Sequence, residues 1–308
     1  MNSIQERFQQ LHIRKPNIYL RAFENYPLDL YVGFDSNNHK SLKYRGVFAP
    51  LKIQNTTQID VQQFVGKEFN TVVFSLLDDS ADSLFVQLCQ DLVNVTIGID
   101  NQETGYCVLR NRYNQWRRLF VNANTNLLSE FQILGLIGEL IFLKDFMFDR
   151  YGQTTAVKGW SGPELTHKDF SYDDCWFEVK TLYDSSSSVK ISSLEQLDSS
   201  ANGNLIVFKM EKMSPEFEGI RINNLVGSIV NILEDMENQD LFVNKLKQYG
   251  YSIRQEYDAF VFQIKSQLFY TVSTDFPKLT RSQLDSAILK ATYEISLLGI
   301  DRFRKQQP

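Results

Sequence analysis

Residues 167–180, His-Lys-Asp-Phe-Ser-Tyr-Asp-Asp-Cys-Trp-Phe-Glu-Val-Lys, restrict this chain more than any other stretch. They read as two short β-strands joined at Asp173-Asp174. A two-residue turn pairs Tyr172 with Cys175, Ser171 with Trp176, Phe170 with Phe177 and therefore Asp169 with Glu178, and a four-residue turn gives the same register. Side chains alternate across a strand, so Glu178 and Lys180 share a face with Asp169 while Phe170, Phe177 and Val179 turn towards a core. Two carboxylates and an ammonium thereby converge on one small area.

That convergence points to chemistry. Paired carboxylates repel unless a cation lies between them, and hard oxygen donors that leave positions for water and phosphate suit Mg²⁺. A neighbouring lysine can hold or deprotonate a water, or offset the charge that builds on a phosphate under attack. A third carboxylate sits in Leu134-Gly-Leu-Ile-Gly-Glu-Leu-Ile-Phe-Leu143, an apolar run interrupted only by Glu139. A helix apolar on nearly every face is buried, and an unpaired buried charge costs several kcal/mol, so Glu139 is expected to have a cationic partner. Gly135 and Gly138 remove side chains from one face and would let this helix approach the sheet closely.

The remainder of the chain narrows the class. At 308 residues it has room for about two domains and a sizeable core. Three scattered cysteines without CxxC spacing exclude a disulfide framework or zinc ribbon and suit a reducing compartment, so a cytoplasmic location is expected. No apolar run is long enough to span a membrane. No phosphate loop, GxGxxG, HExxH or GxSxG motif is present, and three histidines leave little for a histidine-based site. Residues 1–121 read as an α+β domain, with β-rich runs at 18–23, 28–34, 42–48 and 69–77 and a helix at 79–94 capped by Asp79 or Ser80. The polar stretch 122–126 marks the boundary. Residues 122–308 read as a helix at 127–148 capped by Asn126 or Thr125, strands near 154–157, 168–172, 175–182 and 204–209, a mobile loop at 184–188, helices at 222–237 and 239–248, a β-rich stretch at 259–272 and a last helix at 281–297. The order implies an α/β or α+β core with a mixed sheet.

A glutamate on a first helix, then an aspartate, then Glu-x-Lys across a hairpin resembles the PD-(D/E)xK nuclease superfamily, the restriction-endonuclease-like fold. More closely, the chain is similar to a bacterial family of unknown function assigned to that superfamily and found in multi-gene restriction or phage-defence clusters. The likeness rests on Gly138-Glu139-Leu140, Trp160-Ser161-Gly162, His167-Lys168-Asp169-Phe170, Glu178-Val179-Lys180 and Ile191-Ser192-Ser193 followed by Glu195-Gln196-Leu197. It implies that Asp169 and Glu178 bind Mg²⁺ or Mn²⁺, that Lys180 positions the nucleophilic water and that Glu139 ligates or orients from the helix. Gln196 would support them; His167, beside the motif, is a further supporting candidate whose competing reading is a polar strand residue. One departure is plain: Lys168 stands where the literal motif has proline. Asp173 and Asp174 are rival carboxylates, although a turn favours aspartates for backbone reasons alone.

The formal charge of −5 gives no bulk attraction to nucleic acid, so any such contact must come from a local patch. Arg110, Arg112, Arg117 and Arg118, interleaved with Tyr113 and Trp116, are candidates for phosphate contacts and base stacking. The competing reading is a solvated helix face with both aromatics packed inward. Lys190 and Lys209 are further candidate phosphate contacts. The resulting expectation is a metal-dependent DNA endonuclease of a restriction or defence system, working with partner proteins or as a homodimer. The alternatives are a non-cleaving nucleic-acid-binding or assembly subunit, or an enzyme of the same fold acting on RNA or branched DNA.

Overall fold

The computed structural model describes residues 3–11, 14–24, 26–120, 127–164, 167–173, 175–199 and 201–307, without the side chains of Ser80, residues 118–120 and Asn202. The chain divides into two compact units, residues 1–123 with 252–255, and residues 124–251 with 256–308. The stretch 122–126 read above as the domain boundary, with its two candidate caps, lies outside the described residues.

In the first unit, α1 (Ile4–Gln10) precedes β1 (Tyr19–Arg21), β2 (Asp29–Phe34), β3 (Lys40–Gly46), β4 (Ile59–Phe64) and β5 (Asn70–Leu76), followed by α2 (Asp82–Asn94) and α3 (Gln102–Phe120). The strands form one antiparallel sheet in the order β1-β2-β3-β5-β4. Leu30, Val32, Leu42, Tyr44, Val72 and Phe74 lie on its buried face. Strand β4 escaped the sequence reading because its Gln62 and Gln63 dilute the apolar alternation of an edge strand. Helix α2 begins at Asp82, and Ala81, at the cap position, offers no side-chain bond in place of the Asp79 or Ser80 cap expected.

The second unit begins with α4 (Glu130–Phe142), a π-helical turn over 143–147, and α5 (Phe148–Gly159), bent where Gly152 takes a φ of 73°. Ser129 caps α4 in a reciprocal box with Gln132. Then come β6 (Phe170–Ser171), β7 (Cys175–Tyr183), β8 (Ser188–Ile191), β9 (Asn202–Met213), α6 (Ile222–Ile232), α7 (Met236–Tyr249), β10 (Val261–Val272), β11 (Tyr293–Ser296) and β12 (Arg304–Lys305). The main sheet runs β12-β10-β9-β7-β6; β7 and β9 are parallel and the other pairs antiparallel. This is a mixed sheet flanked by helices, the α/β core expected of a PD-(D/E)xK fold. Strands β8 and β11 make a small second sheet whose Val189, Ile191 and Ile295 pack with Trp176, Leu205, Val207 and Tyr270.

Several sequence expectations give way here. Residues 154–157 are helical, because Ala156 and Val157 bury on one face of α5 while Thr154 accepts a 2.7 Å bond from Asn238 of α7. The helix expected at 281–297 is a short 3₁₀ turn, irregular chain and β11; Ile288 and Leu289 are exposed, so the apolar spacing there has no surface to pack on. Ser188 belongs to β8, so the polar run before it is a turn into a strand. Asp235 caps α7 and ends the helical run at 222–237 early.

Helix α4 lies against β7 and β9 because Gly138 has no side chain: a Cβ there would stand 1.9 Å from Thr181 Oγ1 and 3.5 Å from Phe208. At Gly135 a Cβ would meet only the Tyr249 hydroxyl, at an ordinary 3.7 Å, so of the two glycines only Gly138 permits the approach. Gly138→Ala is therefore expected to cost about 1–3 kcal/mol through overpacking. Gly135→Ala should be neutral or stabilising by up to about 1 kcal/mol. Urea unfolding of both variants, with Thr181→Ala partly rescuing Gly138→Ala, checks this.

Candidate active site

The hairpin pairs Phe170 with Phe177 and Ser171 with Trp176, and the Tyr172 N–H donates to the Cys175 carbonyl at 2.9 Å. Asp174, one of the two rival turn carboxylates, lies outside the described residues, and Asp173 lies at the exposed turn. Strand β6 is only two residues long, so the ladder stops before the expected Asp169–Glu178 pair. The next N–H of β7, that of Val179, donates instead to Asp169 Oδ2 at 2.7 Å. The backbone of Asp169 is held from the other side. The Ser161 and Gly162 N–H groups both donate to its carbonyl, at 2.8 and 3.0 Å, and the Ser161 hydroxyl donates to the Lys168 carbonyl at 2.9 Å.

Glu139 reaches this edge from α4. Its Oε2 accepts the indole N–H of the fully buried Trp160 at 2.8 Å. The cation expected beside Glu139 is absent from its immediate contacts among the described residues; a neutral donor holds it, and the charge of Lys180 acts on it from a distance. Gly162 completes the enclosure. A Cβ on it would stand 2.6 Å from Glu139 Oε2 and 3.4 Å from Asp169 Oδ1, so its bare backbone leaves a gap that both carboxylates border. Trp160 thus holds Glu139, Ser161 holds the backbone around Asp169, and Gly162 keeps the gap open. Lys245 on α7 secures this segment, donating to the Lys158 carbonyl at 3.1 Å and to the Trp160 carbonyl, and pairing with Glu164 at 2.8 Å. Nothing in the sequence around Lys245 signals that role.

On β7, Lys180 Nζ lies 2.7 Å from Glu178 Oε1, and Glu178 is 1 % exposed. Its Oε2 is buried without a hydrogen-bond partner. Three acids share one ammonium, and their acidities show it. Burial and the neighbouring Asp169 push Glu178 up to about 8 against the pull of Lys180. Burial raises Asp169, with Lys180 and the Val179 N–H opposing. Burial, then Asp169, carry Glu139 well above the carboxylate range. Burial disfavours the Lys180 charge, but Glu178 and Asp169 outweigh it and hold the ammonium above its ordinary pKa.

The donor set fits a divalent cation. It consists of hard oxygens, one of them buried and unpartnered, around an excess of negative charge that a dication would neutralise. Among the described residues no group of three Asp, Glu, His or Cys side chains is placed to hold a metal ion, so an ion here would take most of its shell from water or phosphate.

The other candidates are placed elsewhere. Lys168, in the proline position, donates to the Glu195 and Gln196 carbonyls, both at 2.6 Å, lies 3.6 Å from the centre of the Trp176 ring, and is lowered by burial to about 8. It ties the turn 194–196 to the hairpin. The Gln196 side chain accepts the Ser192 N–H at 2.7 Å and serves that turn. His167 and Lys190 are exposed, and Lys209 pairs with Asp184 at 3.6 Å. In the first unit, Arg112 is buried and grips Asp91 with two nitrogens, while the Trp116 indole N–H donates to the same carboxylate at 2.6 Å. Arg112 is therefore no phosphate contact, and Tyr113 and Trp116, fully buried, cannot stack on bases. Arg110 donates to the Lys52 carbonyl at 3.4 Å, Arg117 is half-buried, and the Arg118 side chain lies outside the described residues.

A hairpin carboxylate, a Glu-x-Lys strand and a helical glutamate at one edge of a mixed sheet define a nuclease-like class. The model of the family described as "Putative PD-(D/E)XK family member, (DUF4420)" matches residues 4–298, and the chain belongs to that family. No curated protein and no solved structure matches it. Among the described residues, no helix is long and apolar enough to cross a membrane.

Two outcomes follow from these contacts. Arg112→Ala should destabilise the protein by about 3–5 kcal/mol in chemical unfolding, because it strands a buried Asp91. The second concerns pH. Glu178 has a higher pKa folded than unfolded, so between about 4.5 and 8 the native state binds more protons and stability falls as pH rises. The metal-free protein should therefore melt at a lower temperature at pH 8 than at pH 5, and Glu178→Gln should flatten that slope.

Proposed function

We propose that this protein is a metal-dependent DNA endonuclease that hydrolyses phosphodiester bonds. The observation that carries the reading is the convergence of the buried Glu139 and Glu178 with the half-buried Asp169 and Lys180, three acids against one base, at the edge where β6 ends. A structural ion pair would match its charges; this cluster leaves an excess that a divalent ion would balance. Asp169 and Glu178 would hold that ion, Mg²⁺ or Mn²⁺, with Glu139 as a further ligand or as an orienting group. When bound it would supply Lewis acidity to the phosphate and lower the pKa of a water.

The chain's own groups carry the remaining work. Lys180, anchored to Glu178, directs an N–H at the attacking water and offsets the charge that grows on the phosphate oxygens during in-line displacement. The Val179 N–H fixes one oxygen of Asp169 so that the other faces the gap at Gly162. Trp160 holds Glu139 through Oε2, the same oxygen that borders Gly162. A place in a bacterial restriction or phage-defence system, with partner proteins or as a homodimer, is part of this reading and is supported by the family resemblance.

The second reading, a non-cleaving nucleic-acid-binding or assembly subunit, draws on the raised pKa of Glu139 and Glu178, which allows the carboxyls to sit protonated without metal. Incubation of supercoiled plasmid with the protein in Mg²⁺, Mn²⁺ or EDTA decides between them. Wild type should nick or linearise only with metal, and Lys180→Ala and Asp169→Ala should each lose at least about 100-fold in rate. Absence of cleavage together with absence of calorimetric Mn²⁺ binding would overturn the active-site assignment and leave the subunit reading.

A further inference from the structure

One face of the first unit's sheet carries cationic and aromatic side chains that reach solvent. Residues alternate along each strand, and the rows Tyr31–Lys43–Val73 and Arg45–Thr71 lie on the side opposite the buried Leu30, Tyr44 and Val72; Val73 is buried there, Tyr31 and Lys43 are half-buried and Arg45 is exposed. Gly33 permits Tyr19 to lie across this face: a Cβ on Gly33 would stand 2.8 Å from the Tyr19 ring, whose hydroxyl bonds Ser41 at 3.0 Å. Lys43 Nζ sits 3.5 Å from the Tyr19 ring centre and 5.2 Å from that of Tyr31. The Arg45 guanidinium sits 4.5 Å from the Phe69 ring centre. Phe64 and Phe69 are 53 % and 37 % exposed.

The charges on this face are uneven in their pairing. Asp29 is taken by Arg21 at 2.9 Å, and Asp60 by Asn55 and by Gln62. Lys43 and Arg45, two residues apart on one strand, have no carboxylate within ion-pair distance among the described residues. Burial and the charge of Arg45 lower the Lys43 pKa, as expected for a cation lacking a counter-ion. In an acidic chain, a sheet face with two uncompensated cations held over aromatic rings complements a polyanion whose units have π-faces.

We propose that this face of the first unit binds single-stranded DNA, with Lys43 and Arg45 on phosphates and Tyr31 and Phe69 against unpaired bases. A duplex hides its base faces and would use only the cations, whereas an unpaired strand uses both kinds of group. The choice of DNA rests on the nuclease reading above; the surface itself rests on the side chains just described.

Fluorescence anisotropy of the full chain with a labelled 20-nucleotide oligo-dT tests it, in EDTA so that cleavage plays no part. Lys43→Gln/Arg45→Gln should weaken binding and make the slope of log K against log salt less negative by about 1.4, that is about 0.7 per lost phosphate contact. Arg45→Gln alone, at an exposed position that leaves the fold intact, should change it by about 0.7. Tyr31→Ala/Phe69→Ala should weaken binding by at least about 30-fold with an unchanged slope. An unaltered affinity and slope in the charge variants overturns the proposal, as does a duplex of the same length bound as tightly as oligo-dT, or oligo-U bound more tightly. Binding that behaves as expected while plasmid cleavage is absent supports this surface and counts against the nuclease reading alone.

Discussion

Three carboxyl groups crowded around one ammonium set the terms for the second unit. Such a cluster is stable in a low-dielectric edge only if some acids take up protons or a cation enters, and each group also needs a fixed donor. The surroundings supply those donors from separate elements: the Val179 N–H for Asp169, the Trp160 indole for Glu139 and the Lys180 ammonium for Glu178. The early end of β6 frees the first of these, and the bend into residues 160–162 brings the second.

The scaffold around the cluster holds it in place through packing and backbone contacts, and Lys168 adds a positive charge that favours the ionised forms of Asp169 and Glu178. Gly138 brings α4 against β7, Gly162 leaves a gap where two carboxylates meet, and Lys245 and Lys168 tie neighbouring turns down through backbone carbonyls. Lys168 is instructive because it replaces a proline of the usual motif. Proline would fix the backbone before the aspartate through its ring; here a half-buried lysine fixes it by gripping the turn at 194–196. Different chemistry serves the same mechanical end.

The first unit shows the reverse case, in which charged and aromatic residues adjacent in sequence have a structural use. Arg112 and Trp116 converge on Asp91 and hold α2 to α3. A helix of 19 residues has both a buried and a wet side, and sequence composition alone does not say which arginine falls on which. The aromatic and basic residues that do face solvent come from strands and turns far apart in the chain, so no local pattern announces them.

By itself the sequence determined the hairpin register, the pairing of Phe170 with Phe177, the proximity of Glu178 to Lys180 and the burial of Glu139, because strand alternation and an apolar helical run are local properties. It also offered Gly135 and Gly138 for a close approach of α4, and the structure uses only Gly138. Only the tertiary structure decided what holds Glu139 and Asp169, that residues 154–157 are helical, that 281–297 are not, and which face of the first sheet presents its cations and aromatics. Those outcomes depend on groups brought together from distant parts of the chain, such as Trp160 with Glu139 and Lys245 with the Trp160 carbonyl. Local propensity is worth only tenths of a kcal/mol per residue, and burial against a partner surface outweighs it.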